Sequence, residues 1–132
     1  DRDVGLDLDV DSHIPAAIED VINSESVHTV KASLIVEGAN IPTTEDADKV
    51  LEDKGIHVVP DFIANQGGVT VYGCISRKGC TTPETVMDGI EKIIRKGVQR
   101  TFQYAKDNNV SEREAAWIIL KPDASWNEPP VM

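Results

Sequence analysis

The sequence predicts an α/β fold: a small parallel sheet followed by helices. Three observations carry this. Leu34-Ile35-Val36 and "IHVVP" are short apolar runs bounded by glycine, proline or polar residues, as suits strands buried on both faces of a parallel sheet. A helix signal lies between them, which gives the strand–helix–strand order of a parallel unit. A helical apolar stripe then runs from Val86 to Ala105.

The elements follow in order. Asp11 to Ile14 is a short strand candidate that stops at Pro15, since proline lacks the N–H a sheet interior needs. "AAIEDVIN" suggests a helical turn or two. After the strand at Leu34–Val36, Thr43 is expected to cap a helix, with Asp46 in the place of the usual capping-box Glu or Gln. Ala47, Val50 and Leu51 share one face of it, and Gly55 ends it after Lys54. Pro60 closes the next strand. "PDFIANQGG" is expected to be a loop whose Gly67-Gly68 allows close backbone approach before a short helix from Val69 to Ile75. "SRKGCTTPE" is a polar linker.

Thr82 caps the long helix, with Pro83 at its first position. Val86, Ile90, Ile93, Ile94, Val98, Phe102 and Ala105 form its stripe, and "DNN" ends it. Ser111 and Glu114 form a capping box for a last helix reaching about Leu120. The proline-rich end, "KPDASWNEPPVM", is expected to be loose.

Composition narrows the function. The 132 residues are enough for one domain, and an apolar fraction of 40% is enough for a core. With 13 Lys+Arg against 23 Asp+Glu, the net charge is −10, which argues against nonspecific nucleic-acid binding. No stretch approaches the ~20 apolar residues of a membrane span. The acidic start "DRDVGLDLDVD" has no hydrophobic signal segment and no initiator Met, so the chain reads as a processed product or an excised piece. Cys74 and Cys80 have no metal-ligand spacing with His13, His28 or His57. Neither a metal site nor a disulfide is expected.

Two asparagines stand out. Asn40 and Asn65 each follow an apolar strand at its carboxyl end, where ligands bind in parallel α/β sheets. A carboxamide there offers both donors and an acceptor. The plainer reading is that both satisfy loop backbone groups, as Asn does at turns.

The segments "IPAAIEDVI", "VEGANIPTTEDADKVLEDKGIHVVPDFIANQGGVTV" and "KIIRKGVQRTFQYAKDNNVSEREAAW" resemble the C-terminal part of glutamate dehydrogenases. These belong to the glutamate, leucine, phenylalanine and valine dehydrogenase family. The resemblance covers about residues 10 to 118. It implies a partial Rossmann-like sheet, the distal half of an NAD(P)-binding domain, over residues 1–80. C-terminal helices follow over 81–120, then the tail over 121–132.

The resemblance also implies roles. Asn40 reaches the nicotinamide ribose and Asn65 the nicotinamide carboxamide. Ala16 and Ala17 line the cofactor side with backbone groups. Gly38 and Ala39 let the backbone come close, as Gly67 and Gly68 do at the next loop. Tyr72 stands where the family has a serine that contacts the substrate carboxylate. Read without the resemblance, Tyr72 is a packing residue. The family's catalytic lysine and aspartate lie in its other domain, so this chain is expected to hold no catalytic residue.

The implied reaction is oxidative deamination of glutamate to 2-oxoglutarate and ammonia with NAD or NADP. The chain has no G-x-G-x-x-G and no acidic residue to read the ribose, which leaves the choice of cofactor open. The implied partners are the cofactor, the amino acid and further copies of the same chain, with no nucleic acid or membrane. The implied compartment is the cytoplasm or the mitochondrial matrix. A non-catalytic assembly or regulatory module keeping the fold is the competing reading. A standalone nucleotide-binding protein is disfavoured by the absent glycine fingerprint.

Overall fold

The computed structural model describes residues 5–76 and 82–121. The tail after Lys121, most of the "SRKGCTTPE" linker and Cys80 lie outside the described residues. Contacts divide the chain into two compact units, Asp1–Asn65 and Gln66–Met132.

The first unit is a three-stranded parallel sheet in the order β1-β2-β3, with α-helical and 3-10 segments around it. β1 spans Ser12–His13, β2 Leu34–Val36 and β3 His57–Val59. Ser12 pairs with Leu34, and Ile35 with Val58. The strands are short because the apolar runs are short. Ile35, Val58 and Val59 are buried, whereas His57 is exposed.

α1 spans Glu45–Asp53 and buries Ala47 and Leu51 against this core. Ile22 and Val27 complete it from the β1–β2 connection. Gly55, at φ +70°, makes the left-handed turn out of α1 that favours glycine. Lys54 Nζ donates to the Val27 and His28 carbonyls at 3.1 and 3.3 Å, tying the helix end to a 3-10 turn at Val27–Thr29.

Three local expectations are corrected. The cap of α1 is Thr44, not Thr43: the Thr44 hydroxyl accepts from the Ala47 N–H at 3.4 Å. Thr43 is held extended in a parallel bridge to Ile22, so the helix begins one residue later. "AAIEDVIN" forms turns rather than helix. The Asp20 and Ile22 N–H groups donate to the Ile41 and Pro42 carbonyls at 3.0 and 2.9 Å, so they are lost to a local helix. Asn23 Oδ1 accepts from both Glu25 N and Ser26 N, which fixes a side-chain-built turn. Finally, "PDFIANQGG" is not all loop. Asp61–Ala64 makes a one-turn helix, α2.

In the second unit α3 spans Gly67–Ser76, α4 Pro83–Asn108 and α5 Glu112–Leu120. Gly67 and Gly68 are the first residues of α3, and neither is crowded by the chain itself. A Cβ at Gly67 would meet Ile90 Cγ2 at an ordinary 3.6 Å, and one at Gly68 would meet nothing within 4 Å.

α4 starts with a reciprocal cap. Thr82 Oγ1 accepts from Thr85 N, and Thr85 Oγ1 accepts from Thr82 N. The Glu84 backbone N–H and the Thr82 hydroxyl hold the Glu84 carboxyl below its ordinary pKa. Its contribution to stability is therefore present above the ordinary carboxylate range and is lost as the pH falls through the lowered value. The expected stripe is half-buried from Val86 to Phe102 and buried at Ala105. Asn109, at φ +53°, closes the helix in the left-handed conformation that Asn tolerates. Ser111 caps α5 by accepting from Glu114 N at 3.2 Å.

Leu51 is fully buried in the first unit's core. Leu51→Ala is expected to destabilise the chain by about 2–5 kcal/mol, read by urea denaturation. An unchanged midpoint would mean that α1 does not seat this core. β1 has β2 as its only strand neighbour among the described residues, so its outer edge is open. Such edges invite pairing. Sedimentation at micromolar concentration is expected to give a mass above 14.4 kDa. A monomer would show that the edge is protected.

Candidate functional site

The loops leaving β1 and β2 lie side by side. Ala39 N donates to the Pro15 carbonyl at 2.8 Å, joining the two loops beyond the regular strand pairing. Gly38 makes this approach possible. A Cβ there would sit 3.0 Å from Ala16 Cβ and 3.5 Å from Ala16 Cα, too tight for the loops as they stand. The close approach expected of Gly38 is thus made, at least in part, to this chain's own Ala16.

A cleft of ≈ 580 Å³ opens at these strand ends, lined by Ala17, Ile18, Glu19, Asp20, Gly38, Ala39 and Asn40. Backbone groups and one carboxamide supply its neutral polar lining. Glu19 and Asp20 make it acidic. Such a cleft suits hydroxyl and amide donors and is poorly suited to a phosphate.

The loops leaving β2 and β3 are joined by side chains. Asn65, half-buried at the C-cap of α2, donates through Nδ2 to Asn40 Oδ1 at 2.7 Å and to the Ala39 carbonyl at 3.3 Å. The two asparagines singled out at separate strand ends therefore form one pair. The pair keeps Asn40 Nδ2 as a donor and Asn65 Oδ1 as an acceptor, the complement of another carboxamide.

Asp61, at the other end of α2, accepts from Ile41 N through Oδ2 at 2.9 Å and from Phe62 N through Oδ1 at 2.8 Å. Its own N–H donates to Oε2 of the fully buried Glu37 at 2.9 Å.

The structure thus brings Ala17, Gly38, Ala39 and Asn40 to one cleft, with Ala16 packed on Gly38 and Asn65 bonded to Asn40. Tyr72 lies on α3 in the second unit and is 78% exposed in this chain. Glu19, Asp20, Glu37 and Asp61 escaped the sequence reading. For Glu37 the available signal was a carboxylate directly following an apolar strand. For Glu19 and Asp20 there was only their closeness to Ala16-Ala17. Among the described residues, no group of three or more His, Cys, Asp or Glu is placed to hold a metal ion, and no helix is long and apolar enough to cross a membrane.

The sequence profile of the Glutamate/Leucine/Phenylalanine/Valine dehydrogenase family matches residues 2–121. Glutamate dehydrogenase B of Halobacterium salinarum is 39% identical over 119 residues, covering 86% of this chain and 28% of that protein. The glutamate dehydrogenase of Thermotoga maritima is 38% identical over 118 residues, again covering 86% and 28%. The chain therefore spans little more than a quarter of the length of these curated relatives.

The crystal structure of glutamate dehydrogenase from Peptoniphilus asaccharolyticus matches with a TM-score of 0.70 at 37% identity, covering 80% of this chain and 28% of that one. That of L-tryptophan dehydrogenase from Nostoc punctiforme matches with a TM-score of 0.78 at 25% identity, covering 89% and 34%. The parallel sheet followed by C-terminal helices is the arrangement these dehydrogenases share with it. The chain belongs to the glutamate/leucine/phenylalanine/valine dehydrogenase family.

Proposed function

We propose that this chain is the nicotinamide-side part of the NAD(P) site of an amino-acid dehydrogenase that oxidatively deaminates glutamate to 2-oxoglutarate and ammonia. In this reading residues 1–80 belong to the distal half of the nucleotide-binding domain and 81–120 to the helices after it. The observation that carries it is the Asn40–Asn65 pair beside the cleft at the carboxyl ends of parallel strands. A relative at 40% identity over 119 residues, from Halobacterium salinarum, is named an NAD-specific glutamate dehydrogenase.

The residues present fit the nicotinamide nucleoside better than the pyrophosphate. The cleft offers carboxylates, backbone groups and a carboxamide, which suit ribose hydroxyls and an amide. Asn40 serves the ribose and Asn65 the nicotinamide carboxamide. Ala16, Ala17, Gly38 and Ala39 contribute backbone, with Gly38 keeping the two loops close enough to act as one wall. Tyr72 is the candidate on the substrate side. When bound, the nicotinamide accepts the hydride; the chain's residues bind and orient it. The complete enzyme works as an oligomer of identical chains.

Two expectations test this. The purified chain alone should show no glutamate-dependent reduction of NAD or NADP, because the family's acid–base residues lie in its other domain. Turnover above a heat-killed control would mean that catalytic groups have been overlooked here.

In the complete parent protein, Asn40→Ala and Asn65→Ala should weaken cofactor binding between a few-fold and about a hundredfold. A lost neutral hydrogen bond is worth roughly 0.5–1.5 kcal/mol, and an unpaired buried ligand group costs up to about 3. Asn65→Ala should also slow hydride transfer, since a nicotinamide free to rotate loses its near-attack geometry. Asn108→Ala, at the end of α4, is the control. Fluorescence titration with NADH that gave all three variants one affinity would reduce the asparagines to turn-formers.

A further inference from the structure

Ile41 is an exception in this backbone. It is β-branched, 62% exposed, and held at φ +47°. L side chains rarely adopt that region, and a branched Cβ makes it worse. No burial of the side chain compensates. The surroundings must therefore hold the conformation through the backbone.

They do so from several directions. The Ile41 carbonyl accepts from Asp20 N at 3.0 Å, and Asp20 is itself left-handed at φ +54°. The Pro42 carbonyl accepts from Ile22 N at 2.9 Å. The Ile41 N–H donates to Asp61 Oδ2 at 2.9 Å. Of these partners only Asp61 acts through a side chain. Its carboxylate stands across from the strained residue, on α2.

The position matters because Ile41 directly follows Asn40. The turn at Ile41 decides where the Asn40 side chain goes, and Asn40 Oδ1 meets Asn65 from the other end of α2. One turn of helix therefore grips the loop twice. Asp61 at its start holds the backbone at Ile41. Asn65 at its end holds the side chain of Asn40 and the carbonyl of Ala39. Buried Glu37 in turn fixes the Asp61 backbone.

We propose that Asp61 is a positioning residue: by clamping the Ile41 N–H it holds a strained turn that presents Asn40 to Asn65 and to the cleft. Both its carboxylate oxygens accept from backbone N–H groups of this chain. For the site's chemistry the proposal rests on the cofactor reading above, but the clamp itself is testable without any cofactor.

The test is a rescue. Asp61→Ala removes the clamp, and Ile41→Gly removes the strain, because glycine adopts positive φ freely. In the 15N-labelled chain, Asp61→Ala should speed exchange of the residue-41 amide and move the Asn65 side-chain NH2 resonances toward those of a free carboxamide. In the double variant Asp61→Ala/Ile41→Gly the Asn65 resonances should return toward wild type.

A merely structural Asp61 would give a general loss of stability that glycine at position 41 does not repair. If Asp61→Ala leaves the Asn65 resonances in place, or the double variant fails to restore them, the proposal is wrong. Should Asp61→Ala alone fail to fold, the double variant must fold; an unfolded double variant also overturns the clamp.

The second arm uses the complete parent protein and NADH. Asp61→Ala should weaken binding about tenfold, the size expected when strain of this kind is no longer held, and the double variant should recover to within about threefold. Restored Asn65 resonances with NADH affinity unchanged in every variant would uphold the clamp and reject the cofactor reading.

Discussion

The close approach of the loops after β1 and β2 is the constraint on which the candidate site depends. Ala39 N–H reaches the Pro15 carbonyl where Gly38, having no Cβ, leaves room for Ala16. That contact lies beyond the sheet and one residue out of its register, so it joins the two loops where the regular pairing of β1 and β2 has ended. Ile35 and Val58, buried and paired in register, set the distance between β2 and β3. The polar groups at the strand ends thus inherit the rigidity of an apolar core only a few residues behind them.

The parts of this fold visible in the sequence are those settled by neighbours in the chain. Thr82 with Pro83, Ser111 as the cap of α5, and Gly55 after Lys54 act within three residues of themselves, and each took the role its chemistry suggests, although Ser111 caps through the Glu114 backbone N–H without the return bond of a full capping box. The apolar runs of β2 and β3 needed only to be short and continuous. Where the reading failed, the deciding partner was distant. Ile22 bridges to Thr43 and takes the capping role from it. Ile41 and Pro42 draw backbone N–H groups out of what would have been a helix near Asp20.

The candidate site shows the same division. Asn40 and Asn65 could be singled out because each follows a strand. That they bond to each other could not, since 25 residues separate them and the bond exists only once β2 and β3 are paired. Glu19 and Asp20 join the cleft for an equally non-local reason: the Asp20 N–H is held by the Ile41 carbonyl. A sequence lists which side chains stand near a strand end. The sheet decides which of them meet.

Glu37 shows how far this coupling extends. α2 begins after Pro60, whose side chain cannot accept a hydrogen bond, so the helix has no cap of its own at that position. The buried Glu37 carboxylate on the neighbouring strand's exit accepts the Asp61 N–H instead. A four-residue helix has too few internal bonds to stand alone in water. Its first amide is satisfied by a residue just past β2, and its C-cap, Asn65, is anchored on Ala39 and Asn40 of the same loop. Sheet pairing therefore brings together the groups on which α2 and the asparagine pair depend. The polar face of the cleft thus depends on the pairing of two three-residue strands as well as on the loops that line it.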